Sequence, residues 1–571
     1  MAVTPASPAG HKVPRYQALA LTGFAYGVLV SIMWGAHNPY SGLPYETAFP
    51  YNSEIASVVE GFLYRADPLR IHTNTFYQLS YLMGEALGIG GSYVPFQVIY
   101  ALLWWARGFL VFLLMWTFLP DCVPVCFAGG ALVLVHSSDG ALQWVGQLNQ
   151  FGFIFWMLLA YYLLVQAFET ADSNLAILFT IAACFFEYMS LWSYESQILI
   201  LLVSPLLLLL HGNGRSWRKL AGLSAAWYCM PLIYIALTVE KYALSDGHTY
   251  QESVLRTNWS LGSILGDWYF NIAASLQFWK WMRGPWKASE NEAALLSLGA
   301  AFVFVAAGLV IIRLAGENRK TCFLGLKIRN WWLLLGTGFA LLVLSFPVYL
   351  LLASARGLWR TQFLSSIGSG LVLTALVGLA SNVAGRKFRV AAFLTLGAVI
   401  VYFGSLSAIQ KGAIHRWIWE RHRSTILQVL RLAPNVKANT LVVLVDVPKN
   451  DDPFNHNMWF DLAVRLVYPG IGTSGVYYYT DGTPSPGNYL TGIGDHWEWH
   501  GSGYPLALHD TPLTNTIVID YNPSGASVLL KSMPAFLCRS QCATQLYNPT
   551  TVIIGSLSPR TIRRYRTQSG Y

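Results

Sequence analysis

Four carboxylates lie close together in a chain in which only 11% of the residues are charged. Glu46, Glu54, Glu60 and Asp67 fall within residues 45–68, directly after the first apolar segment. Apolar residues recur there at helical spacing, which indicates a helix on the membrane surface. Partial desolvation raises the basicity of a carboxylate, as a general base requires. The alternative is a solvated loop with capping acids, which is the role we expect for Glu60 and Asp67.

Two arginines offer the complementary charge. Arg356 and Arg360 lie in LLASARGLWRTQFLSSIGSG, at the outer mouth of the tenth predicted apolar span. A guanidinium group can bind two phosphate oxygens at once, so the pair is suited to a phosphate that leaves with growing negative charge. In the alternative interpretation, both side chains extend to lipid headgroups at the interface.

A third group of polar residues is expected on the same side of the membrane. His136 and Asp139 lie in HSSDGALQWVGQLNQ, while Glu187 and Glu195 lie at the ends of two further apolar segments. Ionisable residues at membrane depth are costly and usually have a paired or functional role. We expect His136, Asp139 and Glu195 to line an acceptor pocket, with simple exposure at the interface as the alternative.

Apolar spans must position these residues. The chain is 54% hydrophobic and 15% aromatic, whereas about a quarter of the residues of a soluble protein are charged. Runs of about 20 apolar residues can cross a bilayer. Eleven spans are predicted, near residues 17–35, 94–118, 122–137, 150–168, 174–190, 195–211, 220–238, 292–313, 331–353, 363–383 and 390–409. The expected fold is a polytopic α-helical membrane protein with about 11 transmembrane helices, the first an uncleaved span.

Short basic clusters predict the orientation of the spans. GRSWRK, RLAGENRKTCFLGLKIR and GRKFR all fall on the cytoplasmic side if the N-terminus is cytoplasmic, in agreement with the positive-inside rule. Residues 36–92, residues 239–290 and the tail after residue 410 are then extracytoplasmic. The net charge of +9 is divided among these clusters and forms no continuous surface, which argues against a nucleic-acid partner.

The tail, residues 410–571, differs in composition from the transmembrane domain, residues 1–409. Short β-rich runs such as TLVVLVDVP and NTIVIDYN alternate with turns and with one segment of helical spacing. This alternation predicts a small extracytoplasmic α/β domain. Cys538 and Cys542 could form a disulfide there, because exported regions are oxidising.

The first 120 residues resemble a known family. ETAFPYNSEIASVVEGFLYRADP and HTNTFYQLSYLMGEALG are similar to the two parts of the pattern DETRYAEIAREMLESGDW…PPLYYW. That pattern is typical of the aminoarabinose, oligosaccharide-core and protein mannosyl transferases, which are GT-C superfamily membrane glycosyltransferases. Residues 356–371 resemble the R-R-Y-x-x-P segment of the family. The chain departs from the pattern at Tyr45-Glu46, where the family has Asp-Glu, and at Asn74-Thr75, where it has Pro-Pro.

The resemblance implies a GT-C-like hexosyl- or pentosyltransferase that takes a sugar from a polyprenyl-phosphate donor on the outer face of a membrane. A bacterial inner membrane is the expected location. Glu46 would be the general base for the acceptor hydroxyl, with Glu54 as its partner or as a metal ligand. Arg356 and Arg360 would bind the donor phosphate.

The sequence leaves the acceptor and the cofactor open. The acceptor could be a lipid, a glycan or a protein, and membrane lipids are expected partners. The carboxylates are compatible with a divalent metal. The segment GDHWEWH contains three residues of metal-ligand type at alternate positions, His496, Glu498 and His500. No further ligand follows them at a spacing typical of a metal site.

Two other classes of function compete with an enzyme. A transporter or flippase for a lipid-linked saccharide would place functional charges and broken helices near the bilayer midplane, often in paired repeats. The notable charges of this sequence cluster outside instead, and its halves do not repeat, which favours the enzyme. A non-catalytic membrane scaffold that presents the tail is the third interpretation, and the elaborate first loop argues against it.

Overall fold

The structure is a computed structural model of the chain. It describes residues 15–35, 62–63, 67–89, 94–211, 217–243, 255–257, 259–277, 290–314, 328–353, 358, 360–468, 472–486, 489–500, 511–538 and 542–555. These residues form a helical part, followed by a tail in which strands and helices alternate.

The helical part contains thirteen α-helices within the described ranges. They are α1 (Arg15–Val30), α2 (Thr75–Ala86), α3 (Val94–Phe118), α4 (Val123–Leu134), α5 (Leu148–Glu169), α6 (Ser173–Leu191), α7 (Ile198–His211), α8 (Trp217–Ala243), α9 (Leu261–Leu276), α10 (Glu290–Leu314), α11 (Ile328–Leu344), α12 (Ser365–Val383) and α13 (Gly385–Leu432).

Nine helical segments of the described chain are long and apolar enough to cross a membrane. They are Tyr16–Trp34, Val94–Phe118, Val145–Glu169, Ser173–Leu191, Trp217–Lys241, Asn291–Leu314, Ile328–Leu351, Ser365–Val383 and Lys387–Leu432. The chain is therefore a multi-pass α-helical membrane protein, as the sequence predicts.

Each of the eleven predicted spans coincides with a helix, but two of these helices are short. Helix α4 has 12 residues. It is therefore about 18 Å long, against about 30 Å for the hydrocarbon core of a bilayer. The described part of α7 has 14 residues and ends where residues 212–216 lie outside the description. The predicted apolar segments are confirmed as helices, and the count of eleven crossings stays a prediction.

Glycines allow close contacts between helices in the membrane part. A Cβ atom on Gly108 of α3 would lie 2.9 Å from the backbone oxygen of Gly130 in α4. A Cβ atom on Gly368 of α12 would lie 2.7 Å from the backbone oxygen of Gly338 in α11. Larger residues would push these helices apart, as expected where helices associate in lipid through small residues. Helices α4 and α12 also contact each other, and the segments at their ends carry the candidate site.

Helix α13 joins the membrane part to the tail without a break. It has 48 residues, which corresponds to a length of about 72 Å. Val401 and Ala408 pack in the hydrophobic core of the membrane part. Trp419 and Ile426 belong to a core of the tail. The predicted domain boundary between residues 409 and 410 falls inside this helix.

The tail contains a four-stranded sheet and a separate hairpin. The strands are β1 (Leu441–Val447), β2 (Ser474–Tyr479), β3 (Tyr489–Ile493), β4 (His496–His500), β5 (Thr516–Asp520) and β6 (Val528–Leu529), and α14 (Asn457–Val467) lies between β1 and β2. The strand order is β2-β1-β5-β6. Strand β1 is parallel to β2 and β5, while β6 is antiparallel to β5. The predicted α/β fold of the tail is confirmed.

Both faces of β1 are buried, as expected for a central parallel strand. Val442 and Leu444 pack on the side of α13 and α14. Leu441 and Val443 pack on the opposite side, in a core that includes Trp497 of the β3–β4 hairpin. A disulfide joins Cys538 to Cys542 beside this second core, which confirms the predicted pairing.

Candidate functional site

Several of the predicted site residues lie outside the described part of the chain. These are Glu46, Glu54 and Arg356. Their roles as general base, metal ligand and phosphate ligand therefore stay predictions. Arg360 and the three predicted pocket residues are described, so their surroundings can be compared with the expectations.

Asp67 is at the described end of the acidic stretch. Its carboxylate accepts a hydrogen bond of 3.0 Å from the backbone N–H of Leu69 and so caps the turn Pro68–Arg70. It also forms an ion pair of 3.0 Å with Lys241 at the end of α8. The predicted capping role is confirmed. The residue is buried rather than solvated, because α8 lies against it.

Glu195 forms an ion pair with Arg70. The guanidinium donates from both Nε and Nη2 to the two carboxylate oxygens, with an Nε to Oε2 distance of 3.1 Å. Bidentate pairs of this kind combine charge with fixed geometry. Burial opposes the charge on Arg70, but the neighbouring carboxylate outweighs this effect and raises the pKa of the guanidinium. Sequence analysis missed this pair, because the two residues lie 125 positions apart.

Backbone contacts hold the same part of the first loop in place. The N–H of His72 donates to the carbonyl oxygen of Trp192 over 3.0 Å. The hydroxyl of Thr73 donates to the carbonyl oxygen of Ser193 over 2.9 Å. The end of the first loop is therefore docked on the turn that follows α6, and Glu195 lies on that turn.

Asp139 holds the backbone that carries Arg360. Its Oδ1 accepts the N–H of Arg360 at 3.0 Å and that of Ala141 at 2.8 Å, while its Oδ2 accepts the N–H of Gln362 at 2.8 Å. Burial raises the pKa of this carboxyl, and the three N–H donors and Lys411 act in the opposite direction. The structure thus brings together two residues that the sequence assigned to different roles.

Arg360 has an unusual backbone and an accessible side chain. Its φ angle is 72°, a left-handed conformation that costs of order 1–3 kcal/mol for a residue other than glycine. The Asp139 hydrogen bonds offset this strain. The guanidinium carbon lies 4.7 Å from the centre of the Trp144 ring, which is within cation–π range. The side chain is exposed, and no ion pair joins it to a carboxylate of the described residues.

Helix α13 supports the segment between α4 and α5, residues 135–147, which we call the connector. Nζ of Lys411 donates to the carbonyl oxygens of Ser137 and Asp139, the latter over 3.0 Å. Nε2 of His415 lies 3.2 Å from the carbonyl oxygen of Gly140. Asp139 therefore sits on a segment that is itself held by buried polar groups.

His136, at the start of the connector, contacts α9. Its Nε2 is 2.9 Å from the carbonyl oxygen and 3.1 Å from the hydroxyl of Ser275 in α9. The same hydroxyl contacts Ser365 and Ser369 of α12, each at 2.7 Å. Within the described chain this arrangement cross-links α9 and α12. The acceptor pocket predicted for His136 stays a prediction.

Glu187 is fully buried in α6. Neither carboxylate oxygen has a hydrogen-bond partner among the residues that the structure describes. Its burial argues against the alternative of simple exposure at the interface, while a paired or functional role for Glu187 stays a prediction.

Two tyrosines connect the separate contacts into one arrangement. Arg70 lies over the Tyr194 ring, 5.0 Å from its centre, and Tyr194 is within electrostatic range of Glu195 and Arg360. The hydroxyl of Tyr349 donates to the carbonyl oxygen of Arg360 over 3.3 Å. The Arg70–Glu195 pair therefore lies beside Tyr194, and Tyr349 contacts the backbone of Arg360.

Metal ligands do not form a cluster in the described ranges. No group of three His, Cys, Asp or Glu side chains there could hold a metal ion. His496 and Glu498 lie on β4, where His496 contacts Asp495 over 3.3 Å and Glu498 contacts His500 over 3.4 Å. In each contact a histidine nitrogen meets a carboxylate of the same hairpin.

Comparison with known proteins gives a limited result. No protein-family profile matches the chain, and no curated protein matches it. Among solved structures, the chain is similar to ArnT from Cupriavidus metallidurans bound to undecaprenyl phosphate, at 13% identity over 80% of this chain and 85% of that one, with a TM-score of 0.35. The apo state of the same protein gives 12% identity over 82% and 86%, with a TM-score of 0.35. The roles of residues rest on the contacts described above.

Proposed function

We propose that the chain is a membrane glycosyltransferase that moves a sugar from a polyprenyl-phosphate donor to an acceptor on the outer face of the membrane. The observation that carries this proposal is the arrangement of Arg360. Its backbone is fixed by Asp139, its guanidinium rests on Trp144, and its charge is not balanced by a carboxylate of the described chain.

A fixed cation is what a leaving phosphate requires. A charge that is already in position needs no rearrangement when negative charge develops in the transition state, so its stabilising effect is large. The hydrogen bonds of Asp139 and Tyr349 hold Arg360 in its strained conformation. An arginine that only extended to lipid headgroups would not need a backbone fixed in this way.

The reaction assigns a role to each charged group. The bond between the anomeric carbon of the sugar and the phosphate oxygen breaks, and the bonding electron pair leaves with the polyprenyl phosphate. The acceptor oxygen forms the new bond to the same carbon and loses its proton to a carboxylate. In this proposal Glu46 takes the proton, Glu54 is its partner, and Arg360 with Arg356 binds the departing phosphate.

Arg70 and Glu195 have a supporting place in this proposal. Arg70 and Glu195 neutralise each other beside Tyr194, so the Glu195 carboxylate is already paired. Their pair also anchors the end of the first loop, whose earlier residues contain the proposed base.

A direct test uses the full chain, purified in detergent, with a panel of undecaprenyl-phosphate hexoses and pentoses. Membrane extract supplies the acceptor, whose identity need not be known. The release of undecaprenyl phosphate then measures turnover. We expect R360A to lower turnover about 10²–10³-fold, the usual cost of removing an electrostatic stabiliser. R329A, which removes an exposed arginine at the start of α11, is the matched control. If R360A and R329A turn over the donor at the same rate, Arg360 has no role in the reaction.

A transporter of a lipid-linked saccharide is the second candidate, because one observation favours it. Arg107 lies near the middle of α3, is fully buried, and donates to the carbonyl oxygen of Val133 over 3.1 Å. Buried charges of this kind are typical of transport pathways. Reconstituted vesicles separate the two functions: movement of a fluorescent undecaprenyl-phosphate sugar between leaflets without cleavage supports the transporter.

A further inference from the structure

The tail reaches the candidate site through one side chain. Trp459, on the first turn of α14, packs against the core of the membrane part and also against a core of the tail. Its ring lies 5.6 Å from that of Trp144, with an angle of 80° between the ring planes. Trp144 is the ring on which the Arg360 guanidinium rests. One side chain, that of Trp144, therefore separates the tail from Arg360.

The topology of the tail explains this position. Helix α14 follows β1, so its first turn lies at the carboxyl edge of the parallel strands. Arg421 of α13 forms an ion pair with Asp451 at the same edge. Since α13 comes from the membrane part, this edge faces that part. In open α/β sheets, ligand sites lie at the carboxyl edge, and here that edge contributes Trp459.

We propose that Trp459 is a positioning residue for Arg360 and that, through it, the tail completes the binding site for the phosphate of the donor lipid. The inference rests on the proposed function. A cation is attracted to the face of an aromatic ring, so the attraction depends on the orientation of that ring. An edge-to-face partner restricts this orientation. Without Trp459, Trp144 can tilt, and Arg360 loses a defined place for its guanidinium.

The proposal predicts a specific pattern of lipid binding. The probe is radiolabelled undecaprenyl phosphate, and the protein is the full chain in nanodiscs. We expect W459A to weaken binding about three- to tenfold, the size of an aromatic pair contact. W459F should restore most of the affinity, because a phenyl ring can still meet Trp144 edge to face. F536A is the matched control, since Phe536 is a partly exposed aromatic of the tail that packs on Tyr478.

A double-mutant cycle separates positioning from general damage. If Trp459 acts through Arg360, W459A should have little further effect in an R360A background, so that the two losses do not add. Additive losses, or a loss with F536A as large as that with W459A, would overturn the inference. If W459A is not recovered as folded protein, W459L takes its place in the cycle, because it keeps an apolar side chain and removes the ring.

The same data distinguish this inference from the proposed function. Equal binding by the unmodified chain and R360A would contradict the phosphate role of Arg360 itself. Weaker binding by R360A together with unchanged binding by W459A would leave that role intact and would reject only the role of the tail.

Discussion

The carboxylate of Asp139 accepts a hydrogen bond of 3.0 Å from the backbone N–H of Arg360, across 221 positions of sequence. With the second bond, to the N–H of Gln362, it holds the chain just before α12 in a conformation that Arg360 would not adopt alone. The connector is in turn held by Lys411 and His415 of α13. The backbone that carries the exposed guanidinium is therefore held from inside the membrane part.

The first prediction concerns Asp139. In D139N, one side-chain oxygen is replaced by an NH₂ group, which cannot accept the N–H groups of the backbone. Leaving buried donors unpaired costs about 1–3 kcal/mol, so we expect a lower melting temperature in detergent and turnover close to that of R360A. Thermal unfolding and donor cleavage measure the two effects. The control is D495N, at an exposed aspartate, which should have the melting temperature and turnover of the unmodified chain. If D139N also has unchanged values, the Asp139 carboxylate is not needed.

The second prediction concerns the acidic stretch. E46Q keeps the size of the side chain and removes its basicity, so it should stop sugar transfer, whereas E60Q should be tolerated. E54Q should give an intermediate loss if Glu54 assists the base. Transfer from undecaprenyl-phosphate sugars is the measurement. Full activity in both E46Q and E54Q would mean that this stretch is only a solvated loop.

The third prediction concerns the ion pair of Arg70 and Glu195. Both side chains are about a quarter exposed, at 26% and 29%. We therefore expect a moderate coupling energy of about 1 kcal/mol. A double-mutant cycle with R70A and E195Q, followed by unfolding of the purified chain, measures it. A coupling near zero would show that backbone contacts such as that of His72 hold the first loop by themselves.

The fourth prediction concerns topology. If the basic clusters are cytoplasmic, the tail is extracytoplasmic, and a cysteine placed at the exposed position 450 should react with a membrane-impermeant maleimide in intact cells. The background variant is C229S, which removes an exposed native cysteine. Labelling of N450C only after the cells are opened would place the tail in the cytoplasm and reverse the predicted orientation.

The sequence by itself determined the elements. Apolar runs predicted the spans because a membrane helix satisfies its own backbone and needs only length and hydrophobicity. Alternating β-rich runs predicted the α/β tail for an equally local reason. The cap by Asp67 and the disulfide between Cys538 and Cys542 were also within reach of sequence, since each joins neighbours along the chain.

Only the tertiary structure decided which residues meet. The pocket predicted for Asp139 and Glu195 stays a prediction, whereas the structure shows that Asp139 holds the backbone of Arg360 and that Glu195 pairs with Arg70. No sequence pattern indicated a role for Trp459. These contacts depend on how helices pack and on where α13 places the tail, and each joins residues more than a hundred positions apart. A single sequence contains no local pattern for such pairs, because the energy that selects them comes from packing of the whole chain.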